Sequence, residues 1–435
     1  MSKLIKNSNS MVFKNILENR TLSYYFLAII LILIPLYIWI IPPFMVLWGI
    51  SWIIESHMNK QYYNRKYRIQ NWLFILFITF YLWQAVGIFY SDDVKSGLNT
   101  FFSRLSLFLF PLVLLIPSKK IENNITLLLK IFAASTSLFV FICFGHALYN
   151  SVFFQNGVLV FNPHPQKEYW LNFFYGSYFS INQHPSYLAM YAILSGFISF
   201  ESWFDKKKSK WKRFAWLLNG ILLIISLYFL SSRSGLLAIF ILVPVYLIKK
   251  FYKHHKLFTA LSIVMLLVFS FFIVLTNERV KIGLSEIANE TFLTKDARIS
   301  IWSSAFHSIR NNLVFGVGIG DVKTELMKEY IRQGDQNLIQ NRYNVHNQYL
   351  EILMENGIIG LALFLSILGV MLYIAYTEKN TLYYLFTIMM LIFFLFETVM
   401  ERLQGVSFFA LFSFLLIYAS PDKQSVNIGS RNPDY

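Results

Sequence analysis

Three polar side chains in a mostly apolar sequence could carry chemistry: Arg233, Arg298 and His346. A guanidinium group binds phosphate oxygens through two parallel hydrogen bonds, so either arginine suits an anion site. A histidine at a helix N-terminus is held neutral by the helix dipole and can accept a proton at pH 7. These residue types therefore favour an anion site with a general base.

Each of the three residues also has a purely structural interpretation. Arg233 lies between two very apolar segments and could extend its side chain to a membrane interface. Arg298 falls in the first turn of a predicted helix, where a positive charge gains nothing from the dipole, so it could be an ordinary surface charge. His346 could be a structural histidine at the interface. Taken singly, the residues leave both interpretations open.

The composition indicates a membrane protein. Hydrophobic residues make up 56% of the 435 residues and charged residues only 14%. Apolar blocks of about twenty residues recur along the chain, which is the length that crosses a bilayer as a helix. We predict an all-α polytopic membrane protein forming a single membrane domain over residues 1–435. The first apolar block lacks a small-residue cleavage site and is interpreted as a retained span.

Length and flanking charge divide the apolar blocks into spans. The run from 214 to 248 would extend roughly 52 Å as one helix, against a hydrocarbon core of about 30 Å, so it should fold as a hairpin with Arg233 at its tip. The stretch from Leu22 to Glu55 should divide at Pro42-Pro43. About twelve spans result, at 22–40, 43–56, 70–90, 101–117, 125–148, 185–202, 214–231, 234–250, 257–276, 348–375, 380–397 and 403–419.

The net charge of +15 indicates orientation and does not indicate nucleic-acid binding. Lysine and arginine cluster in short connectors, as cytoplasmic loops do, and anionic membrane lipids are the expected contacts. Both termini are then cytoplasmic, and residues 421–435 form a cytoplasmic tail. The three candidates all fall on the outer side.

Residues 277–347 form a large predicted extracytoplasmic, periplasmic loop that contains short helices. The first of these, from Arg298 to Ile309, should bury one apolar stripe, and Asp321 should cap a second helix that ends near Gly334. The predicted stripe consists of Ile299, Trp302, Phe306 and Ile309.

Several further residues are secondary candidates or are set aside. His184, Glu397, Glu401 and Arg402 lie in predicted outer connectors and are secondary site candidates. Gly316, Gly318 and Gly320 follow a helix and not a strand, so they are interpreted as a turn and not as a dinucleotide site. Cys143, the only cysteine, is assigned to core packing. The sequence contains no metal or nucleotide motif, so neither a metal nor another cofactor is expected.

Four motifs occur together in the C-terminal half. They are Ser232-Arg233-Ser234-Gly235, the segment from Arg298 to Trp302, the glycine run from Asn312 to Gly320, and His346-Asn347-Gln348-Tyr349-Leu350-Glu351 continuing to Gly360. In order and spacing this set resembles the O-antigen ligase and O-antigen polymerase superfamily, whose ligase-related members have a Wzy C-terminal-type domain. The N-terminal half matches only as a series of spans.

The resemblance implies a GT-C-like glycosyltransferase architecture and a metal-independent reaction in the bacterial inner membrane. Arg233 and Arg298 would bind the pyrophosphate of an undecaprenyl-linked glycan donor, and His346 would activate the acceptor hydroxyl. Direct attack would invert the anomeric centre. A ligase-like enzyme with a lipid A-core acceptor and a periplasmic active site is the leading expectation.

Other functions remain open from sequence. Members of the same superfamily polymerise repeat units of O-antigen or exopolysaccharide, or attach oligosaccharides to protein hydroxyls. A flippase or transporter for lipid-linked glycans is a more distant alternative. Transporters tend to place ionisable residues and broken helices near the membrane midplane, whereas the candidate residues here are predicted on the outer side. A structural scaffold is the residual alternative.

Overall fold

Helices dominate the computed structural model of the chain. It describes residues 22–58, 68–164, 172–181, 183–253, 255–257, 259–262, 264–265, 268 and 297–419. The longer helices span Leu22–Leu36, Ile41–Met58, Arg68–Phe89, Val94–Ser103, Ser106–Leu115, Ile125–Ser151, Pro185–Phe204, Lys210–Leu230, Arg233–Phe251, Ala297–Asn311, Val322–Gln333, Gln348–Thr377, Thr381–Phe396 and Leu403–Leu415. Shorter helical turns span Ile38–Ile40, Lys119–Asn123, Gly176–Phe179, Gln336–Asn341, Val399–Glu401 and Leu416–Ala419.

Seven helices within the described ranges are long and apolar enough to cross a membrane. Three shorter apolar helices accompany them. The prediction of a multi-pass, all-α membrane protein is therefore confirmed, while the count of about twelve spans stays a prediction. Most of the predicted span 257–276, the loop residues 277–296 and the tail 421–435 lie outside the described residues.

The apolar run from 214 to 248 divides into two helices, as its length predicted. Ser231 ends the first helix in the left-handed conformation (φ 47°), and Ser232 caps the second by accepting a hydrogen bond from the Gly235 N–H at 3.2 Å. The second helix therefore begins at Arg233, which confirms the position of the turn.

The division between the first two helices differs from the prediction. The first helix ends at Leu36, and a short 3-10 turn leads into the helix that starts at Ile41. Pro42 and Pro43 do not interrupt a helix but occupy its first turn, where a missing N–H costs no intrahelical hydrogen bond.

The predicted span 101–117 is also interrupted. A turn at Arg104 and Leu105 separates the helices Val94–Ser103 and Ser106–Leu115. Arg104 is 1% exposed despite its charge. A guanidinium group buried among apolar helices requires hydrogen-bond partners. Arg104 lies at the interruption itself, and its side chain binds Glu355 from there.

The helix Leu403–Leu415 lies at the centre of the apolar core. Every residue from Gln404 to Leu415 is buried. Phe408 and Phe412 pack on each other and on Phe132 and Phe386. The buried Cys143 belongs to the same core, as predicted. Because the central helix is enclosed, the short segment before it, which contains the turn Val399–Glu401, has a fixed position at one end of the core.

The helix Gln348–Thr377 is interrupted at Gly357, which has a φ of 64°. The interruption frees backbone groups that the preceding loop satisfies. The Val317 N–H donates to the Met354 carbonyl at 2.8 Å, and the Ile358 N–H donates to the Leu313 carbonyl at 2.9 Å. A Cβ atom at Gly357 would lie 2.1 Å from a backbone oxygen of this loop. The helix and the glycine-rich segment are therefore built together.

The three glycines of that segment form a turn, as predicted. Gly316 and Gly318 have φ values of 77° and 95°, which side chains rarely tolerate. A Cβ atom at Gly320 would lie 2.2 Å from the Asp93 carbonyl oxygen. Their conformation and close backbone contacts explain the motif without a nucleotide.

The first loop helix, Ala297–Asn311, buries a stripe that shares only Ile309 with the predicted one. Ile301, Ala305 and Ile309 are almost fully buried, whereas Phe306 is 50% exposed. Trp302 packs only at the edge of this small core. The buried stripe forms one small core with Val322 and Leu326 of the helix Val322–Gln333, so packing between the two helices determines which face is buried.

The second loop helix has its predicted bounds but a different use of Asp321. Its end at Gly334 is left-handed (φ 69°), and Asp321 occupies the N-cap position without capping through its side chain. The Asp321 carboxylate instead accepts hydrogen bonds from the Asp92 and Asp93 N–H groups at 2.7 and 2.8 Å. It therefore fastens the loop to the turn at 91–93.

One hairpin of strands interrupts the helical pattern. Val152–Gln155 pairs antiparallel with Val158–Phe161. Asn156 and Gly157 join them with positive φ values of 52° and 75°. Asn-Gly between apolar residues is a strong hairpin signal, but the all-α prediction included no strand in this connector.

Candidate active site around the connector 397–402

Residues 397–402 connect the helix Thr381–Phe396 to the buried central helix. Two side chains hold this connector through the backbone of Met400. Gln348 Oε1 accepts a hydrogen bond from the Met400 N–H at 2.7 Å, and Arg104 Nε donates to its carbonyl at 3.1 Å. The connector is thus fixed both to the start of the helix Gln348–Thr377 and to the turn at Arg104.

His346 reaches this connector from the end of the large loop. It lies directly before Asn347, whose side chain caps the helix Gln348–Thr377 by accepting from the Tyr349 and Leu350 N–H groups at 3.0 and 3.1 Å. The His346 backbone is left-handed (φ 50°). Trp302 ties the first loop helix to this point by donating to the Val345 carbonyl at 3.0 Å. His346 therefore has the predicted place at a helix N-terminus.

A carboxylate faces the His346 ring. Its Nδ1 atom is 3.7 Å from Glu397 Oε2, and the two side chains are 27% and 15% exposed. This separation is too long for a hydrogen bond but short enough for the carboxylate to attract the ring once the ring is protonated. Ser186 Oγ donates to the other oxygen, Glu397 Oε1, at 2.7 Å. The carboxylate is thus held on one side and faces the imidazole on the other.

Both connector glutamates are carboxylates at neutral pH. Burial raises the pKa of Glu397, but the neighbouring His346, His184 and Ser186 outweigh burial and hold it below the ordinary value. Burial likewise raises the pKa of Glu401. Lys323 lies 3.1 Å from Glu401 Oε1, and Asn344 and Thr398 donate hydrogen bonds to Glu401 Oε2. These contacts outweigh burial and hold the pKa of Glu401 below its ordinary value.

The two candidate arginines lie beside the same connector. Ser232, which precedes Arg233, donates a hydrogen bond to Ser186 Oγ at 3.2 Å. Ser186 in turn donates to Glu397, so a chain of two hydrogen bonds joins the turn at Arg233 to the connector. The Arg233 side chain is exposed. The Arg298 guanidinium lies over the ring of Phe396, 6.0 Å from its centroid, and Phe396 directly precedes Glu397.

The secondary candidates complete this cluster. His184 caps the helix Pro185–Phe204 through its Nδ1 atom, which accepts from the Ser186 N–H at 3.4 Å, and its charge acts on Glu397. Glu401 and Arg402 lie on the opposite flank of the connector, beside His346. The structure therefore brings all seven predicted site residues to one end of the helices.

A large open cleft leads to His346. It has a volume of about 1010 Å³ and is lined by the loop helices and the connector, including Tyr343, His346, Glu401 and Arg402. This volume is at the upper end of the range for small-molecule sites. Aromatic, basic and acidic groups around an open cleft can accommodate an extended polar substrate.

Residues 217–365 match a family model described as O-antigen ligase. The match confirms the resemblance that the motifs predicted. It covers about a third of the chain and includes Arg233, Arg298 and His346, but it ends before the connector. No curated protein matches the chain.

Four further residues complete the cluster, and sequence reasoning missed all of them: Arg104, Ser186, Lys323 and Glu355. Arg104 forms a bidentate salt bridge with Glu355, with distances of 2.7 and 2.8 Å and exposures of 1% and 2%. A charge inside an apolar span is a signal of function or pairing, and Arg104 carried that signal. Ser186 and Lys323 carried none, since a serine or a surface lysine is unremarkable in sequence.

Proposed function

We propose that this protein is a glycosyltransferase that moves a glycan from an undecaprenyl pyrophosphate carrier to an acceptor hydroxyl on the outer side of the bacterial inner membrane. An O-antigen ligase-like transfer to lipid A-core is the leading form of this proposal. The O-antigen ligase match supports the class of reaction. The donor, the acceptor and the side of the membrane are inferred from the motifs and charge pattern.

One observation carries the proposal. A continuous path of contacts runs from His346 through Glu397 and Ser186 to Ser232, the residue before Arg233. Residues from four separate segments thus join a potential base to a potential anion-binding arginine. Arg298 lies beside the same path, over Phe396. A general base on the same path of contacts as two arginines suits glycan transfer from a pyrophosphate carrier.

The chemistry follows from these positions. The acceptor hydroxyl oxygen attacks the anomeric carbon while its proton passes to His346. The bond from that carbon to the pyrophosphate oxygen breaks, and Arg233 and Arg298 stabilise the charge that develops on the leaving group. Because Nδ1 faces Glu397, Nε2 is the nitrogen that accepts the proton. Glu397 orients the ring and stabilises the imidazolium ion. A single displacement inverts the anomeric centre.

The choice of acceptor distinguishes the ligase from its relatives. A polymerase would use the growing lipid-linked glycan as acceptor, and a protein O-oligosaccharyltransferase would use a serine or threonine hydroxyl. These three enzymes need the same base and the same anion site. The proposed residues therefore define the reaction, and the acceptor must come from the product.

Surface-glycan profiling in a deletion strain tests the proposal. Lipopolysaccharide gels and a glycoprotein stain would be compared after complementation with wild type, His346→Ala, Arg233→Ala or Arg298→Ala at matched membrane levels. Restoration by wild type alone supports the transferase, and the restored band identifies the acceptor. Long glycan that accumulates on the carrier in the deletion strain indicates a ligase, capping of the core with a single repeat unit indicates a polymerase, and loss of a glycoprotein band indicates protein glycosylation. Full complementation by all three variants would contradict the site.

A further inference from the structure

A second, more enclosed cavity lies behind the connector. Its volume is about 340 Å³, and it lies between the helix Val94–Ser103, the start of the helix Val322–Gln333 and the helix Gln348–Thr377. Lys323, Glu401 and Arg402 line both this cavity and the large cleft that contains His346. We call it the inner chamber. Because these residues line both cavities, only one layer of side chains separates the two.

Most of the charged groups in the inner chamber already have partners in the protein. Arg104 binds Glu355 through two hydrogen bonds and also donates to Gln84 Oε1 at 3.1 Å. Lys323 lies 3.1 Å from Glu401 Oε1. These pairs form part of the wall and need no ligand.

Glu351 differs from these pairs. It is only 4% exposed, it lines the inner chamber, and its Oε2 atom is buried without a hydrogen-bond partner. Leaving a buried acceptor unsatisfied costs free energy, more for a charged group than for a neutral one. A ligand that donates a hydrogen bond at this point would remove that cost.

The charges of the wall restrict the kind of ligand. Arg104 and Lys323 are paired with Glu355 and Glu401, so these four groups offer no net charge to a ligand. Arg402, the remaining cation of the wall, is exposed. Such a wall favours a neutral ligand over a phosphate or a cation. Ser96 and Thr100 add hydroxyl groups to one side. A neutral molecule with several hydroxyl groups fits a wall of mixed donors and acceptors.

We propose that the inner chamber is a subsite for one neutral sugar ring, whose hydroxyl group donates to Glu351. This inference rests on the proposed function for the source of the sugar. The ring belongs either to the donor glycan, as a residue near the one being transferred, or to a sugar acceptor. Since the chamber adjoins the cleft of His346, a glycan chain in the cleft can place one ring inside it.

Two substitutions change the chamber in different ways. Glu351→Gln keeps the size of the side chain but replaces the carboxyl group by an amide. Ser96→Phe fills the space with a ring and leaves the Arg104–Glu355 pair untouched. Asn99→Phe is the matched control, because Asn99 is exposed on the same helix and does not line the chamber. Neither chamber residue belongs to the proposed catalytic group.

The first measurement is transfer by the purified full-length protein in nanodiscs, with lipid-linked glycan and acceptor extracted from the source strain. We expect Ser96→Phe and Glu351→Gln to raise KM roughly tenfold or more, with kcat changed less than about threefold, as exclusion of the ring or loss of a buried hydrogen bond implies. A change in KM for the donor assigns the ring to the donor, and a change in KM for the acceptor assigns it to the acceptor. Unchanged KM values in both variants would overturn the subsite.

The second measurement does not depend on transfer. Neutral oligosaccharides cut from the surface glycan of the source strain would be titrated into the same nanodiscs, and binding would be followed by saturation-transfer NMR. Binding to wild type and Asn99→Phe but not to Ser96→Phe supports the subsite even if wild type shows no transfer. Equal binding to all variants, no binding to wild type, or binding only of amino sugars as cations would contradict it.

Discussion

Two contacts between a nitrogen base and a carboxylate differ in how deeply they are buried and how fully they are hydrogen-bonded. The Arg104–Glu355 pair is almost fully buried, is bidentate, and is further bound to Gln84 and the connector backbone. The His346–Glu397 contact is half open, spans 3.7 Å, and leaves His346 Nδ1 without a hydrogen bond. The first contact has no capacity left for a substrate. In the proposed function the second contact supplies a base and a carboxylate beside a cleft, so the comparison separates a structural pair from a proposed reactive one.

The largest expected effect is on the reactive side of this comparison. His346→Ala should lower the transfer rate by roughly 10²- to 10⁴-fold, the usual contribution of a general base, while the melting temperature stays near that of wild type. Product formation by the purified protein would measure the rate. His307→Ala is the matched control, since His307 lies on the loop and pairs with Glu329 at 3.8 Å, away from the cleft. An equal loss in both variants would contradict the assignment.

Breaking the structural pair should instead reduce stability. Arg104→Met leaves the Glu355 carboxylate buried and unpaired, which should lower the free energy of unfolding by about 3 to 5 kcal/mol. The double replacement Arg104→Met with Glu355→Met should recover most of this loss, because neither charge then remains. Thermal unfolding in detergent would measure both.

A more exposed pair offers a control for that experiment. Lys250 and Glu201 lie 2.6 Å apart with exposures of 24% and 32%. Lys250→Met should cost only about 0 to 1 kcal/mol, as exposed pairs do. Similar losses at both pairs would mean that burial is not what distinguishes Arg104.

The arginines beside the reactive contact should affect turnover. Arg233→Ala and Arg298→Ala should each lower kcat by roughly 10²- to 10³-fold, the usual effect of removing one group that stabilises developing charge. Lysine should restore only part of this, because an ammonium group does not bind phosphate in a bidentate manner. Arg332→Ala, on the loop surface, is the control. Unchanged kcat with alanine would remove that arginine from the site.

The smallest expected effect is at Glu397. Glu397→Gln should lower turnover by about 10- to 100-fold, as for other residues that orient a functional histidine, and Glu397→Asp should retain more. The folded pKa of Glu397 lies below its ordinary value of 4.5, so its charge stabilises the protein at neutral pH and this contribution is lost as pH falls through the folded pKa. The stability difference between wild type and Glu397→Gln should therefore narrow below pH 4.5. A difference that grows at acid pH would contradict this linkage.

The sequence predicted the parts of the fold that periodicity and charge determine. Helix length and flanking lysines located the turn at Arg233, and the helix Val322–Gln333 ended at Gly334 as its glycine indicated. The rotation of a helix about its axis was harder to predict, because the buried stripe of the first loop helix depends on its packing against the helix Val322–Gln333. Local patterns contain no information about that packing.

The site was only partly predictable for the same reason. Arg233, Arg298 and His346 could be selected by residue type and motif. Ser186 and the contact between His346 and Glu397 join residues far apart in sequence, so only the folded chain brings them together. Arg104 was a charge inside an apolar span and could have been singled out, but its partner Glu355 could not.

The most direct test of the central claim is whether the bond between glycan and carrier is broken and depends on His346. Purified protein in proteoliposomes would receive lipid-linked glycan and acceptor, and free undecaprenyl pyrophosphate and acceptor-linked glycan would be measured together. We predict that both appear in equal amounts with wild type and His307→Ala and that neither appears with His346→Ala. Movement of the intact lipid-linked glycan across the bilayer without cleavage would contradict the account and indicate a transporter.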